Sequence, residues 1–192
     1  MKKFIYLICL LVLTSLSYSQ KSGFKGGLNI GNEKATQGGI SGTADPKLSF
    51  MLGVYTEIEL SDQLFLGPEL IYSVDGGQIG ISGTTVRDNF SYLSVPFLLK
   101  YYANERFNIH AGPQLGFLLS AKVKGNGGSA DISSSLKKTN FSLAFGVEGD
   151  LGNVNLGARM ILGLSNIAND PNAFGDVEYT LNTIQLYFGI PF

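Results

Sequence analysis

The sequence predicts an all-β chain: an eight-stranded antiparallel up-and-down transmembrane β-barrel preceded by a cleaved signal peptide. Three observations carry that reading. Eight segments alternate apolar and polar residues with a period of two, each with the roughly ten residues a tilted strand needs to cross a bilayer. The connections between them are alternately short and long. The polar face of the strands is crowded with glycine.

The N-terminus sets the compartment. Lys2 and Lys3 precede an apolar run from Phe4 to Leu13, and Ser17-Tyr18-Ser19 places small residues at a cleavage site before Gln20. Residues 1–19 therefore read as a signal peptide and 20–192 as one barrel domain. A membrane helix would need a longer apolar run. Cys9, the only cysteine, lies inside the apolar run rather than at the cleavage site, which argues against lipidation. The mature chain then has no cysteine, so disulfides, Cys-based zinc sites and thiol chemistry are excluded. Without Lys2 and Lys3, twelve basic residues stand against fifteen acidic ones, unlike a nucleic-acid binder.

The expected strands are 23–32, 49–60, 64–73, 89–101, 107–120, 140–151, 154–167 and 180–192. One face is apolar throughout, as in Phe50, Leu52, Val54, Ile58 and Leu60, or Ile184, Leu186, Phe188, Ile190 and Phe192. Short connections fall at Ser61-Asp62-Gln63, around Asn104 and at Gly152-Asn153. Between them lie long, polar, glycine-rich ones at 33–48, 74–88, 121–139 and 168–179. Strict alternation is the pattern of an outer-membrane barrel of a Gram-negative cell, multi-pass, with short periplasmic turns, longer outer loops and both termini periplasmic.

The opposite face decides between a lipid-facing and a soluble barrel. It carries Lys25, Glu57, Glu59, Glu69, Lys100, His110, Glu148, Asp150 and Arg159 in its periplasmic half, interspersed with glycines. A lipid-facing Lys or Arg costs about 2–4 kcal/mol at the midplane, so these residues are expected to point inward and pair as a lumen charge network. The network fills the lumen and fixes register; a gated ion path or proton-sensitive site around His110 is the sharper alternative. The outer half is lined by small groups (Asn29, Gly53, Ser94, Gly116, Gly146, Gly163), leaving room for a shallow outward cavity. A soluble lipocalin-like binding barrel would need the larger polar set to face water.

The stretch YLSVPFLLKYY (92–102) separates under the same period. Leu93, Val95, Phe97, Leu99 and Tyr101 face lipid; Lys100 faces the lumen, near Glu59 or Glu69. Pro96 removes a ladder hydrogen bond, so a bulge or bridging water is expected there. Phe24, Tyr101, Phe107 and Phe192 would anchor one interface, and Phe50, Tyr72, Phe90, Phe141 and Tyr179 the other.

Several motifs together resemble the PorT-like outer-membrane β-barrel family. They are Gly26-Gly27-Leu28-Asn29, YLSVPFLLKYY, Ala111-Gly112-Pro113-Gln114-Leu115-Gly116, Gly163-Leu164-Ser165-Asn166-Ile167 and the terminal TLNTIQLYFGIPF. The terminal strand, with Phe188, Ile190 and Phe192, is similar to the signal by which the barrel-assembly machinery accepts its clients. The resemblance implies a fold and an outer-membrane location. Some members serve protein export, which would make secretion-system proteins partners.

For function, an enzyme is disfavoured, because His110 is the only histidine and its same-face neighbours Asn108 and Gly112 supply no nucleophile. No cofactor or metal is expected; Asp170, Asp176 and Glu178 lack the spacing of a calcium loop. A channel would be narrow, because eight strands leave little bore. A structural or interaction barrel remains, embedded in outer-membrane lipid and presenting four loops. Lys122, Lys124, Lys137 and Lys138 make the third loop basic, either merely solvated or in contact with anionic lipopolysaccharide headgroups.

Overall fold

The eight alternating segments pair in sequence and close into a ring. The computed structural model describes residues 21–81, 84–125, 127–169 and 177–192; the signal-peptide segment 1–19, Asp170 and Asp176 lie outside them. Its strands are β1 (Lys21–Gln37), β2 (Ile40–Thr43), β3 (Asp45–Ser61), β4 (Leu64–Asp75), β5 (Gly77–Ile81), β6 (Thr84–Asn104), β7 (Phe107–Gly125), β8 (Gly128–Asp131), β9 (Thr139–Asp150), β10 (Asn155–Gly163) and β11 (Glu178–Pro191). Eight of these are the staves: β1, β3, β4, β6, β7, β9, β10 and β11 each pair antiparallel with the next, and β1 closes the ring on β11. The closing seam runs from Gly23↔Pro191 to Thr36↔Glu178. The other three are short strands that extend the long connections beyond the staves, so much of those connections is hairpin rather than loose loop.

The apolar face points out. Phe24, Leu28, Leu52, Ile109, Leu143, Leu156, Leu186 and Ile190 are exposed, while Lys25, Glu57, Glu69, Lys100 and Arg159 are almost wholly enclosed. This is the reverse of a lipocalin-like barrel, and that alternative is set aside. Phe24 stacks near Phe192 at a ring distance of 5.1 Å, and Phe50 near Tyr72 at 6.1 Å, on opposite ends of the outer face. Two expected anchors sit elsewhere. Phe90 shares the inward parity of Tyr92 and is buried in the lumen, and Tyr179 packs against the same interior cluster.

Pro96 does not cause a bulge. The β6–β7 register is unchanged from Val95↔Leu115 and Pro96↔Gln114 to Leu99↔Ala111; the shifts fall instead between Ser91 and Tyr92 and between Tyr102 and Asn104. Pro68 and Pro113 lie on the strands either side, level with Phe97. The three prolines share one weakened level of the wall, so none has to be absorbed by an insertion.

Candidate functional site: a sealed polar lumen

Inward-facing charges from separate staves meet in one alternating chain. Lys100 Nζ donates to Glu57 Oε1 at 2.5 Å and to Glu148 Oε1 at 3.0 Å. Lys25 Nζ donates to the other oxygen of Glu148 at 3.3 Å and to Glu69 Oε1 at 2.6 Å. Arg159 Nη1 completes the row on Glu69 Oε2 at 2.9 Å. Three acids and three bases thus stand in strict order, each charge against its opposite. Burying an ion costs several kcal/mol unless it is paired and hydrogen-bonded, and here every one is.

Neutral groups extend this row at both ends. Toward the chain termini, Tyr102 Oη donates to Glu57 Oε2 at 2.9 Å. Toward the long connections, Arg159 Nε donates to Gln185 Oε1 and Gln185 Nε2 to Asn29 Oδ1, both at 3.0 Å. Asp75 then accepts from Asn29 at 3.4 Å, Thr183 at 2.9 Å and Ser73 at 2.7 Å. The aromatic rings of Tyr55 and Tyr187 lie 5.0 and 4.2 Å from the Lys25 ammonium, filling the space between staves. Gly157 makes that possible: a Cβ there would fall 2.3 Å from the Tyr187 ring.

Not every expected member belongs. Glu59 is exposed, because β3 has passed the rim of the lumen by that residue, and inward there means toward water. Asp150 sits at the same rim and pairs with Lys21 at 3.7 Å, half in solvent. Lys100 therefore meets Glu57 and Glu148, not Glu59 or Glu69. His110 is enclosed but bears no ion pair: Nδ1 bonds Asn108 Oδ1 at 3.0 Å and Nε2 faces Tyr187 Oη at 3.4 Å. Glu178 begins β11, and the described residues hold no group of three or more potential metal ligands. Phe188, Ile190 and Phe192 all point outward along the closing strand.

Among the described residues, a hydrophobic cluster occupies the outer half of the lumen. Leu136 and Ile167, from the last two long connections, fold inward onto Phe90, Tyr92, Leu118, Ala121 and Leu181. Lys137 N donates to Ile167 O at 2.8 Å and Asn169 N to Ser135 O at 2.9 Å, fastening the two connections to each other over the mouth. Sequence reading missed this cap because inward-folding loop residues have no periodicity to betray them.

Beside the cap lies a second polar knot, beyond the lipid belt: the outward residues of β1 change from Ile30 to Asn32 and Lys34 at this level. Lys47 Nζ donates to Asn89 Oδ1 at 3.0 Å, to Asp75 O at 3.2 Å and, closely, to Asp88 O. Glu33 Oε1 accepts from Gly77 N at 2.8 Å, clasping the β4–β5 corner. Burial, then the neighbouring Asp88, pushes the Glu33 carboxyl up to about 7. A raised acid binds its proton more tightly when folded, so its stabilisation is complete below its unfolded value and is lost as pH rises through about 7. Asp88, raised by burial, acts in the same direction. The urea midpoint in detergent micelles is therefore expected to fall between pH 5 and 8, and Glu33→Gln to flatten that slope.

A closed ring of eight antiparallel strands, apolar outside and ion-paired within, defines a small outer-membrane β-barrel. The chain belongs to the family described as outer membrane protein beta-barrel domain, whose model matches residues 18–169. Among solved structures it is similar to Ail, the attachment invasion locus protein of Yersinia pestis, at 18% identity and a TM-score of 0.50 over 91% of this chain and 100% of that one. Neisserial surface protein A is similar at 12% identity and a TM-score of 0.50, over 88% and 97% of the two chains. At these identities the likeness carries the fold alone. No curated protein matches the chain.

Proposed function

We propose that this barrel is a sealed structural and interaction module, with its long connections outside the cell and its termini in the periplasm. It neither passes solutes nor catalyses; it acts through the surface it shows to lipid and to the exterior. One observation carries this reading: the lumen is closed twice, by the alternating ion chain from Glu57 to Arg159 and by the Leu136–Ile167 cap. An ion entering the chain would have to displace a paired charge, at a cost of several kcal/mol. The contacts of His110 with Asn108 and Tyr187 support the non-catalytic reading. Purified protein in planar bilayers is expected to give no steady single-channel openings, and their appearance would overturn the reading.

The motifs that resemble the PorT-like family support a second, narrower reading, an accessory role in protein export. Crosslinking in intact cells separates the two. Capture of secretion-machinery components favours export, whereas capture of assembly factors alone favours a stand-alone barrel.

A further inference from the structure

Near its outer end β7 carries one residue more than β6. Ser91 pairs with Ser120 but Tyr92 with Leu118, leaving Leu119 as the insertion. A single extra residue reverses which side chains face out. Below it the outward residues of β7 are odd-numbered, ending at Leu119, which is 56% exposed to the lipid side. Above it they are even-numbered: Lys122 and Lys124 are exposed, while Ala121 turns inward and is buried. Without the insertion both lysines would point into the hairpin.

The same shift sets Lys124 directly opposite Arg87 of β6, and Lys122 opposite Asn89. Like charges facing each other across a ladder destabilise it, and among the described residues no carboxylate forms an ion pair with either member of this pair. On the far side β8 offers Ser129 to Lys124 and Asp131 to Lys122, yet among the described residues none of the three cations forms an ion pair. Arg87 Nε has only a 3.4 Å contact with Gln78 Oε1. The remaining lysines of this connection are apart from the rung: Lys138 donates to Ser133 O at 3.1 Å, and Lys137 lies on the cap segment.

We infer that Arg87, Lys124 and Lys122 form a binding site for the phosphate groups of outer-leaflet lipid. An arginine fork and a lysine point charge converging on one rung suit a phosphate oxygen set, and an anion between them converts the repulsion into attraction. The rung faces sideways, directly above the last lipid-facing residue of β7, which selects a phosphate carried by lipid over a soluble polyanion. This inference rests on the proposed orientation, long connections outside, and is independent of the sealed lumen.

The test uses the whole mature protein in detergent micelles doped with diphosphoryl lipid A or with its dephosphorylated counterpart, read by native mass spectrometry. Diphosphoryl lipid A is expected to be retained at least ten-fold more by the native protein than by Arg87→Gln/Lys124→Gln, and the dephosphorylated lipid equally little by both. Lys137→Gln/Lys138→Gln should retain it like the native protein. Equal retention by native protein and rung variant, or loss in the Lys137/Lys138 variant instead, overturns the site. Displacement of the lipid by millimolar free pyrophosphate overturns its assignment to lipid. Heat-modifiable gel migration confirms that each variant is folded. An impermeant maleimide applied to intact cells bearing Gly80→Cys checks orientation separately: labelling upholds it, and its absence overturns it and the lipid site with it.

Discussion

Glu148→Gln is expected to cost the barrel about 3–5 kcal/mol, the range for removing one partner of a buried ion pair. Among the described residues Glu148 is the only acid that joins both lysines of the ion chain, Lys25 and Lys100. Glutamine preserves its shape but leaves three bases against two acids in an enclosed lumen. The check is a urea titration in micelles, with folded and unfolded forms separated by gel mobility. Adding Lys100→Met to the same variant removes a charge of the other sign, although it leaves Glu57 to Tyr102 alone. The double variant should therefore regain part of the lost stability. If the single variant unfolds at the native midpoint, the ion chain is not what holds the staves together.

Gly112→Ala should be at least as damaging, by a different route. Gly112 lies on β7 where the wall is tightest, and a Cβ there would sit 1.9 Å from Phe97 O and 3.0 Å from Leu98 Cα. Those are backbone atoms of β6, so no rotamer can relieve the clash and the staves must part. Overpacking commonly costs about 1–3 kcal/mol; a main-chain collision beside three prolines should reach about 3 kcal/mol or more. Gly80→Ala is the control, since a Cβ there meets nothing within 4 Å. Folded yield on refolding into micelles measures both.

The staves were legible in the sequence because period-2 alternation survives wherever one face meets lipid. Lys25, Glu57, Glu69, Lys100, Glu148 and Arg159 were legible for the same reason: a charge on the inward face has no other place to go. Glu59 and Asp150 follow the same parity, but parity does not reveal where the lumen stops. Partners were equally hidden, since Lys100 on β6 reaches past β7 to Glu148 on β9 and nothing local points there. Arg87 was missed because its role depends on a one-residue insertion at Leu119, which alternation alone reads as noise. The cap residues Leu136 and Ile167 lie in irregular segments, where pattern gives no guidance.

The order of the six paired charges along the chain has a consequence for biogenesis. Reading from β1 to β10 they run Lys25, Glu57, Glu69, Lys100, Glu148 and Arg159. If staves enter the bilayer in chain order, the running sum over these six never exceeds one unit of either sign, and it returns to zero after β3, β6 and β10. Each newly threaded charge thus finds its counter-ion already waiting or arriving soon after. The linear sequence schedules neutrality during insertion, well before the three-dimensional network that finally enforces it exists.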